Sequence, residues 1–177
     1  MTLQQQFTQI TLETLVEEFF RTSEGQWHSQ RRYYTLPEGK TKEMTSMITV
    51  KFLNFGSEEL RKLEQLHSLH QSLRCGASVS WNSSDSFTGK KQSSGFTIFG
   101  VFGNKLYRDR GFATPHPVTA DYFFPNSQTL CLKTEYKGSM FEEELRLIGH
   151  QYRTRQTIIS CAGEQKMIGQ YLEKRIA

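Results

Sequence analysis

From Gly25 onward the chain is written almost entirely in short runs with a period of two. Candidate strands lie near residues 26–36, 43–53, 76–82, 94–102, 105–110, 117–124, 129–137, 140–148, 152–160 and 166–174. Turn-forming pairs separate many of them: Gly103-Asn104, Pro125-Asn126, Lys137-Gly138 and Ala162-Gly163. Alternate side chains of a strand point to opposite faces. So many short segments in series must bury one face and protect their edges, which a barrel or a sandwich does. The polar stretch WNSSDSFTGKKQSSG, residues 81–95, reads as a mobile loop. With no repeat and no composition break, residues 1–177 form a single domain.

Two segments have helical spacing instead. Leu12, Leu15, Val16, Phe19 and Phe20 form one apolar stripe, with Thr11 as its N-cap and Gly25 as its breaker. Leu60, Leu63, Leu66, Leu69 and Leu73 form another, capped by Ser57, with Glu58 and Glu59 at the positive end of the helix dipole.

Apolar residues are 36% of the chain, which is low, but the 13 phenylalanines supply large buried areas from few positions. The net charge of +4 is spread without a Lys/Arg block. Nucleic acid is therefore not expected as a partner, whereas a small anionic ligand or an acidic protein fits. Cys75, Cys131 and Cys161 are odd in number and widely spaced, which argues for free thiols in a reducing compartment. The first twenty residues carry acidic side chains and no signal-like core, and no apolar run reaches the length of a membrane span. A cytoplasmic protein with no membrane partner is expected.

The segment GQWHSQRRYYTL, Gly25–Leu36, lacks a dry face. Alternation puts Trp27, Ser29, Arg31 and Tyr33 on one side and His28, Gln30, Arg32 and Tyr34 on the other. In FEEELRLI, the residues Phe141, Glu143, Leu145 and Leu147 share a face, so Glu143 is the carboxylate set among apolar neighbours. Buried there, its pKa rises unless a cation offsets the desolvation, which makes it a candidate acid or base. A purely structural pairing with an arginine accounts for the same pattern. Arg153 and Arg155 share a face with Thr157 and Ile159. Facing inward they need anions, because unpaired buried cations are costly. Glu143 supplies one, and a ligand bearing carboxylates supplies the rest through bidentate contacts. Facing outward they need none. Trp81 fits a cavity wall or a core position. YRDRG, Tyr107–Gly111, reads as a salt-bridged turn. His67 and His70 read as a solvated helix face rather than a metal site, and no metal site is expected.

Several segments together resemble the S/U-type phycobiliprotein lyases: FFRTSEGQWHSQRRYYTL, LYRDRGFATPHPV, TLCLKTEY, FEEELRLIGHQYRTRQT and GEQKMIGQYLEKRI. The resemblance covers nearly the whole chain, and RRYYTL and FEEELRLIG are closer to the U-type branch. It implies a mainly β, lipocalin-like (calycin) fold: a ten-stranded antiparallel barrel with an N-terminal helix and one helix between early strands. It implies a protein of the cyanobacterial phycobilisome system that binds a linear tetrapyrrole (a bilin such as phycocyanobilin or phycoerythrobilin). The bilin is then joined by a thioether bond to a cysteine of a phycobiliprotein alpha or beta subunit. The bilin is the substrate, and no cofactor is implied. An S-type sister subunit or a homodimer is implied as a partner, with a non-catalytic bilin carrier or stabilising subunit as the alternative role. Carried over by position, Glu143 is the catalytic residue, and Arg153, Arg155, Arg31, Trp27 and Trp81 bind the bilin. The arginines would hold its propionates, and Glu143 would meet its pyrrole nitrogens.

Overall fold

The computed structural model describes residues 1–5 and 11–177 with their side chains. Helix α1 (Leu3–Ser23) leads into β1 (Gly25–Thr35) and β2 (Lys40–Leu53), and helix α2 (Glu58–Leu66) follows. Eight more strands complete the chain: β3 (Cys75–Asp85), β4 (Lys91–Phe102), β5 (Lys105–Arg108), β6 (Val118–Asn126), β7 (Thr129–Tyr136), β8 (Ser139–Ile148), β9 (Tyr152–Cys161) and β10 (Glu164–Arg175). Each strand pairs antiparallel with its sequence neighbour, and β1 also pairs with β10, closing a ten-stranded barrel. Closure leaves no free sheet edge. The mainly β, lipocalin-like barrel with one N-terminal helix and one helix between early strands is thus the fold.

Helix α1 begins earlier than its apolar stripe. Thr2, not Thr11, is the N-cap: its hydroxyl accepts from the Gln5 amide at 3.3 Å, and the Gln5 side chain accepts from the Thr2 amide at 2.8 Å. This reciprocal cap starts the helix ahead of the apolar stripe. The stripe then does its work inside the barrel. Val16, Phe19 and Phe20 are buried with Trp27, Ile48, Val50, Val101, Leu106, Leu130 and Leu147, and they plug one end. Each large side chain so buried contributes about 1.5–3 kcal/mol. Gly25 ends the helix as expected, at φ +136°, where a side chain would collide with the Ala177 carbonyl.

Helix α2 is capped by Ser57 as expected but stops at Leu66, which is half exposed. Leu60, Leu63 and Leu73 with Leu53 form a small core on the outside of the barrel wall. Leu73 reaches it from the connection after the helix.

Two other expectations change. Residues 81–95 are not a loop: β3 runs to Asp85 and β4 starts at Lys91. The segment alternates, but its inner members include Ser83, buried and hydrogen-bonded to Ser46 across the β2–β3 pair. A strand whose inner residues are serines carries no apolar signal to read. Pro125-Asn126 remains within β6, so the turn to β7 falls two residues later, at Ser127-Gln128. Lys137-Gly138 and Ala162-Gly163 are turns with positive φ at both central positions, the hairpin geometry that matches strand twist.

Candidate functional site

Register sets the inner surface in rows. One row crosses Leu147, Arg153, Glu173, Ser29, Ser46 and Ser83 on six adjacent strands. The next crosses Leu145, Arg155, Tyr171 and Arg31. A third crosses Leu132, Glu143, Thr157, Gly169 and Tyr33. Ser29, Arg31, Tyr33 and Glu143 thus face inward, and of the two orientations open for Arg153 and Arg155 the register selects the inward one. Polar residues form a belt through an otherwise apolar barrel, which answers why β1 has no dry face.

The belt borders a cavity of about 650 Å³, within the range of small-molecule sites. Phe19 and Phe20 of α1 close one end. At the other end Ser93, Phe112, Ala113 and Pro115 line it and are solvent-exposed, so the cavity opens there. Arg31, Arg108, Arg110, Arg153 and Arg155 all line it, with Glu143 as their carboxylate and Glu173 behind Arg153 as a second. Cations outnumber carboxylates by three in this space.

The arginines fall into three situations. Arg153 is buried against Glu173, Nε to Oε1 2.8 Å, and its guanidinium lies over Trp27 at 4.8 Å. Burial alone would push the Glu173 carboxyl up, but Arg153 and then Arg155 hold it below the usual carboxylate range. Arg155 and Arg108 share Glu143: Arg155 Nη2 donates to Oε2 at 2.5 Å, and Arg108 Nη1 to Oε1 at 3.5 Å. Burial pulls both guanidiniums down. At Arg155 the close Glu143, with Tyr171 and Glu173, more than reverses it, whereas Arg108, farther from Glu143 and repelled by Arg155, stays lowered. The Nε donors of both are buried without an acceptor among the described residues. Arg31 and Arg110 have no carboxylate partner among the described residues. Arg31 donates Nε to Ser29 Oγ at 3.2 Å and lies 5.2 Å over Tyr171, and Arg110 lies 5.0 Å over Trp81.

Of the two tryptophans, Trp81 lines the cavity and Trp27 does not. Trp27 is fully buried, donates Nε1–H to the Ser23 carbonyl at 2.9 Å, and is faced by Arg153 and Arg175. It joins the closed end to the arginine belt rather than the cavity wall. Trp81 needs the glycine opposite it: a methyl group at Gly95 would sit 2.4 Å from the indole ring.

Arg108 and Arg110 belong to YRDRG, which is not a salt-bridged turn. Its Asp109 accepts instead from the Thr97 hydroxyl at 2.6 Å and the Ile98 amide at 3.1 Å. The signal was the phase of β5: Leu106 inward makes Arg108 inward. Glu173 was readable the same way from Tyr171. His67 is not part of a solvated helix face. It ends α2, with Nε2 2.8 Å from the Arg108 carbonyl and its ring against Tyr107. No cluster of three metal-binding side chains occurs among the described residues. All three cysteines are free, and burial pushes the Cys75 thiol up to about 12. No helix among the described residues is long and apolar enough to cross a membrane.

Residues 15–176 match the family model described as CpeS-like protein. The chain is 64% identical over 166 residues to a candidate phycocyanobilin lyase, CpcS 2, of Nostoc sp., covering 93% of this chain and 92% of that one. It is 44% identical over 161 residues to a candidate chromophore lyase, CpcV, of Picosynechococcus sp., covering 89% and 80%. A phycocyanobilin lyase subunit, CpcS, of the same organism is 28% identical, covering 90% and 85%. Among solved structures, the S-type phycobiliprotein lyase CPES from Guillardia theta superposes with a TM-score of 0.77 at 21% identity, covering 92% and 93%, a likeness of fold.

Proposed function

The chain belongs to the CpeS-like protein family, and on that premise we propose that it is a bilin lyase. It binds a linear tetrapyrrole in the barrel and attaches it to a cysteine of a phycobiliprotein subunit. One observation carries this reading: a cavity walled by aromatic rings with three more guanidiniums than carboxylates. An elongated conjugated molecule with two carboxylates fits that surplus. The unpartnered Nε groups of Arg108 and Arg155 and the unpaired Arg31 and Arg110 are the donors for those carboxylates. Trp81 and Phe112 supply faces for the rings. The two close relatives named as candidate lyases support the catalytic reading over a simple carrier.

In the transfer step the acceptor thiol adds across an exocyclic carbon–carbon double bond of the bilin. A sulfur–carbon bond forms, and the thiol proton ends on the adjacent carbon. Nothing leaves and no oxidant is needed, so the step requires no cofactor beyond the bilin. The lyase contributes by fixing one conformer and offering its reactive end at the mouth. Glu143 acts as a fixed negative charge: held by Arg108 and Arg155, it favours a protonated, electrophilic tetrapyrrole. A second lyase subunit, a sister chain or another copy of this one, is a further partner in this reading, and a relative named as a lyase subunit supports it.

Mixing the protein with phycocyanobilin should change the bilin's visible spectrum, and adding apo-acceptor subunit should produce colour that survives acid denaturation. No spectral change removes the bilin reading. A spectral change with no covalent product, alone or with an S-type partner, leaves a carrier. Glu143→Gln should keep binding and slow transfer about 10- to 100-fold; an unchanged transfer rate would remove its role.

A further inference from the structure

A bilin held in a cavity closed at one end by α1 can be reached only from the other. Any acceptor must therefore cover the open end, and the β3–β4 turn lies on its rim. Its backbone is fixed in detail. Asp85 Oδ1 accepts from the amides of Phe87 and Thr88, both at 2.9 Å, and the Asp85 amide and carbonyl bond Lys90 and Gly89 at 2.9 Å each. The two amides hold the Asp85 carboxyl below its ordinary range. Ser86 is tied to β2 through Thr45 Oγ1 at 3.1 Å and the Glu43 carbonyl at 3.3 Å. This ordered turn nevertheless holds Phe87 82% exposed. A mobile loop could fold such a ring away; this one presents it. Lys90 and Lys91 follow, both exposed and without an ion pair among the described residues. Their strand continues to Ser93 and Gly95 at the cavity wall beside Trp81.

We infer that Phe87, with Lys90 and Lys91, is the docking element for the acceptor subunit, which offers an apolar depression flanked by carboxylates beside its acceptor cysteine. A rigid aromatic anchor with a charged rim is the arrangement that gives protein interfaces both affinity and steering. The inference rests on the lyase reading above but concerns the partner rather than the pigment.

Phe87→Ser and the double variant Lys90→Glu/Lys91→Glu test it, with Phe55→Ser as control. Phe55 is 68% exposed, but it follows β2 at the closed end. Affinity for free phycocyanobilin should stay within about twofold for all three. Direct binding of bilin-loaded protein to immobilised apo-acceptor should weaken about tenfold for Phe87→Ser and for the lysine double variant, and not for Phe55→Ser. Added salt should weaken wild-type binding and partly restore that of the lysine variant, whose reversed charges repel the acceptor's carboxylates. Transfer rates should fall at low acceptor concentration and recover at saturation. Wild-type acceptor binding by both variants, or an equal loss in Phe55→Ser, would overturn the inference. Acceptor binding is read without any covalent step. A wild-type protein that binds acceptor through Phe87 but transfers no bilin would sink the lyase reading alone.

Discussion

Arg153 and Arg155 stand two residues apart on β9, on the same face, yet they live in different surroundings. Arg153 has a carboxylate to itself, fully buried Glu173, and a tryptophan ring over its plane. Arg155 shares Glu143 with Arg108, keeps a buried donor unpartnered, and is less buried. The first guanidinium is neutralised by the protein. The second is half-neutralised, so some of its charge is left for whatever enters the cavity. Residue type and strand face are identical; the difference comes from what the next strands place opposite. A buried guanidinium with a carboxylate of its own joins the closed end together, while one that shares its carboxylate leaves charge facing the cavity.

The sharpest way to break that contrast is at Glu173. Glu173→Gln should destabilise the protein by about 3–5 kcal/mol at pH 7, because it strands Arg153 in a buried site. Urea unfolding measures it, and pH supplies a sign. The folded-state pKa of Glu173 is depressed, so its contribution is fully present above the unfolded carboxylate value near ~4.3 and is lost as pH falls through the folded value. The gap between wild type and variant should therefore close in acid. A gap of constant size would mean that Glu173 is not held as an anion by Arg153.

Next in size, Arg155→Ala and Arg108→Ala should each cost about 2 kcal/mol of bilin affinity, roughly 30-fold, in a spectroscopic titration. Their stability loss should be smaller than that of Arg153→Ala, because Glu143 keeps its other partner. If Arg153→Ala and Arg155→Ala lost stability and affinity in the same proportion, the division between them would fail. Arg31→Ala and Arg110→Ala should cost several-fold in affinity and almost nothing in stability, since no carboxylate is stranded. Arg146→Ala, on the outer face of β8, should change neither. The smallest effect compares the ends of the barrel. A thiol reagent should modify exposed Cys161 quickly and leave Cys75 untouched in the native protein, because Cys75 is buried with its pKa near 12. Cys161→Ser should leave bilin transfer unchanged.

Much of this molecule is legible along the chain, because period and punctuation are local properties. Ten candidate strands, the Ser57 cap, the inward phase of Glu143 and the shared face of Arg153 and Arg155 need only alternation and turn chemistry, and all are found in the fold, but that the arginine face points inward was not readable from alternation alone. The family resemblance, not alternation, singled out Arg31 and Trp81, which both line the cavity, and alternation erred where inner residues are serines, so residues 81–95 looked unstructured. It also mistook Arg108 and Arg110 for a surface turn, because nothing nearby in sequence says that Glu143 stands across the barrel.

What the chain determined alone is therefore the face each side chain takes, since the pleat of a strand enforces it residue by residue. Which charge meets which was decided only by how the strands register against one another and by the sheet closing on itself. Hairpin register brought Glu173 to Arg153 and Glu143 to Arg155, 20 and 12 residues apart, and closure of the barrel brought Arg108 of β5 to Glu143 of β8, 35 residues apart. Electrostatic pairing depends on distance through space, and no local pattern encodes that.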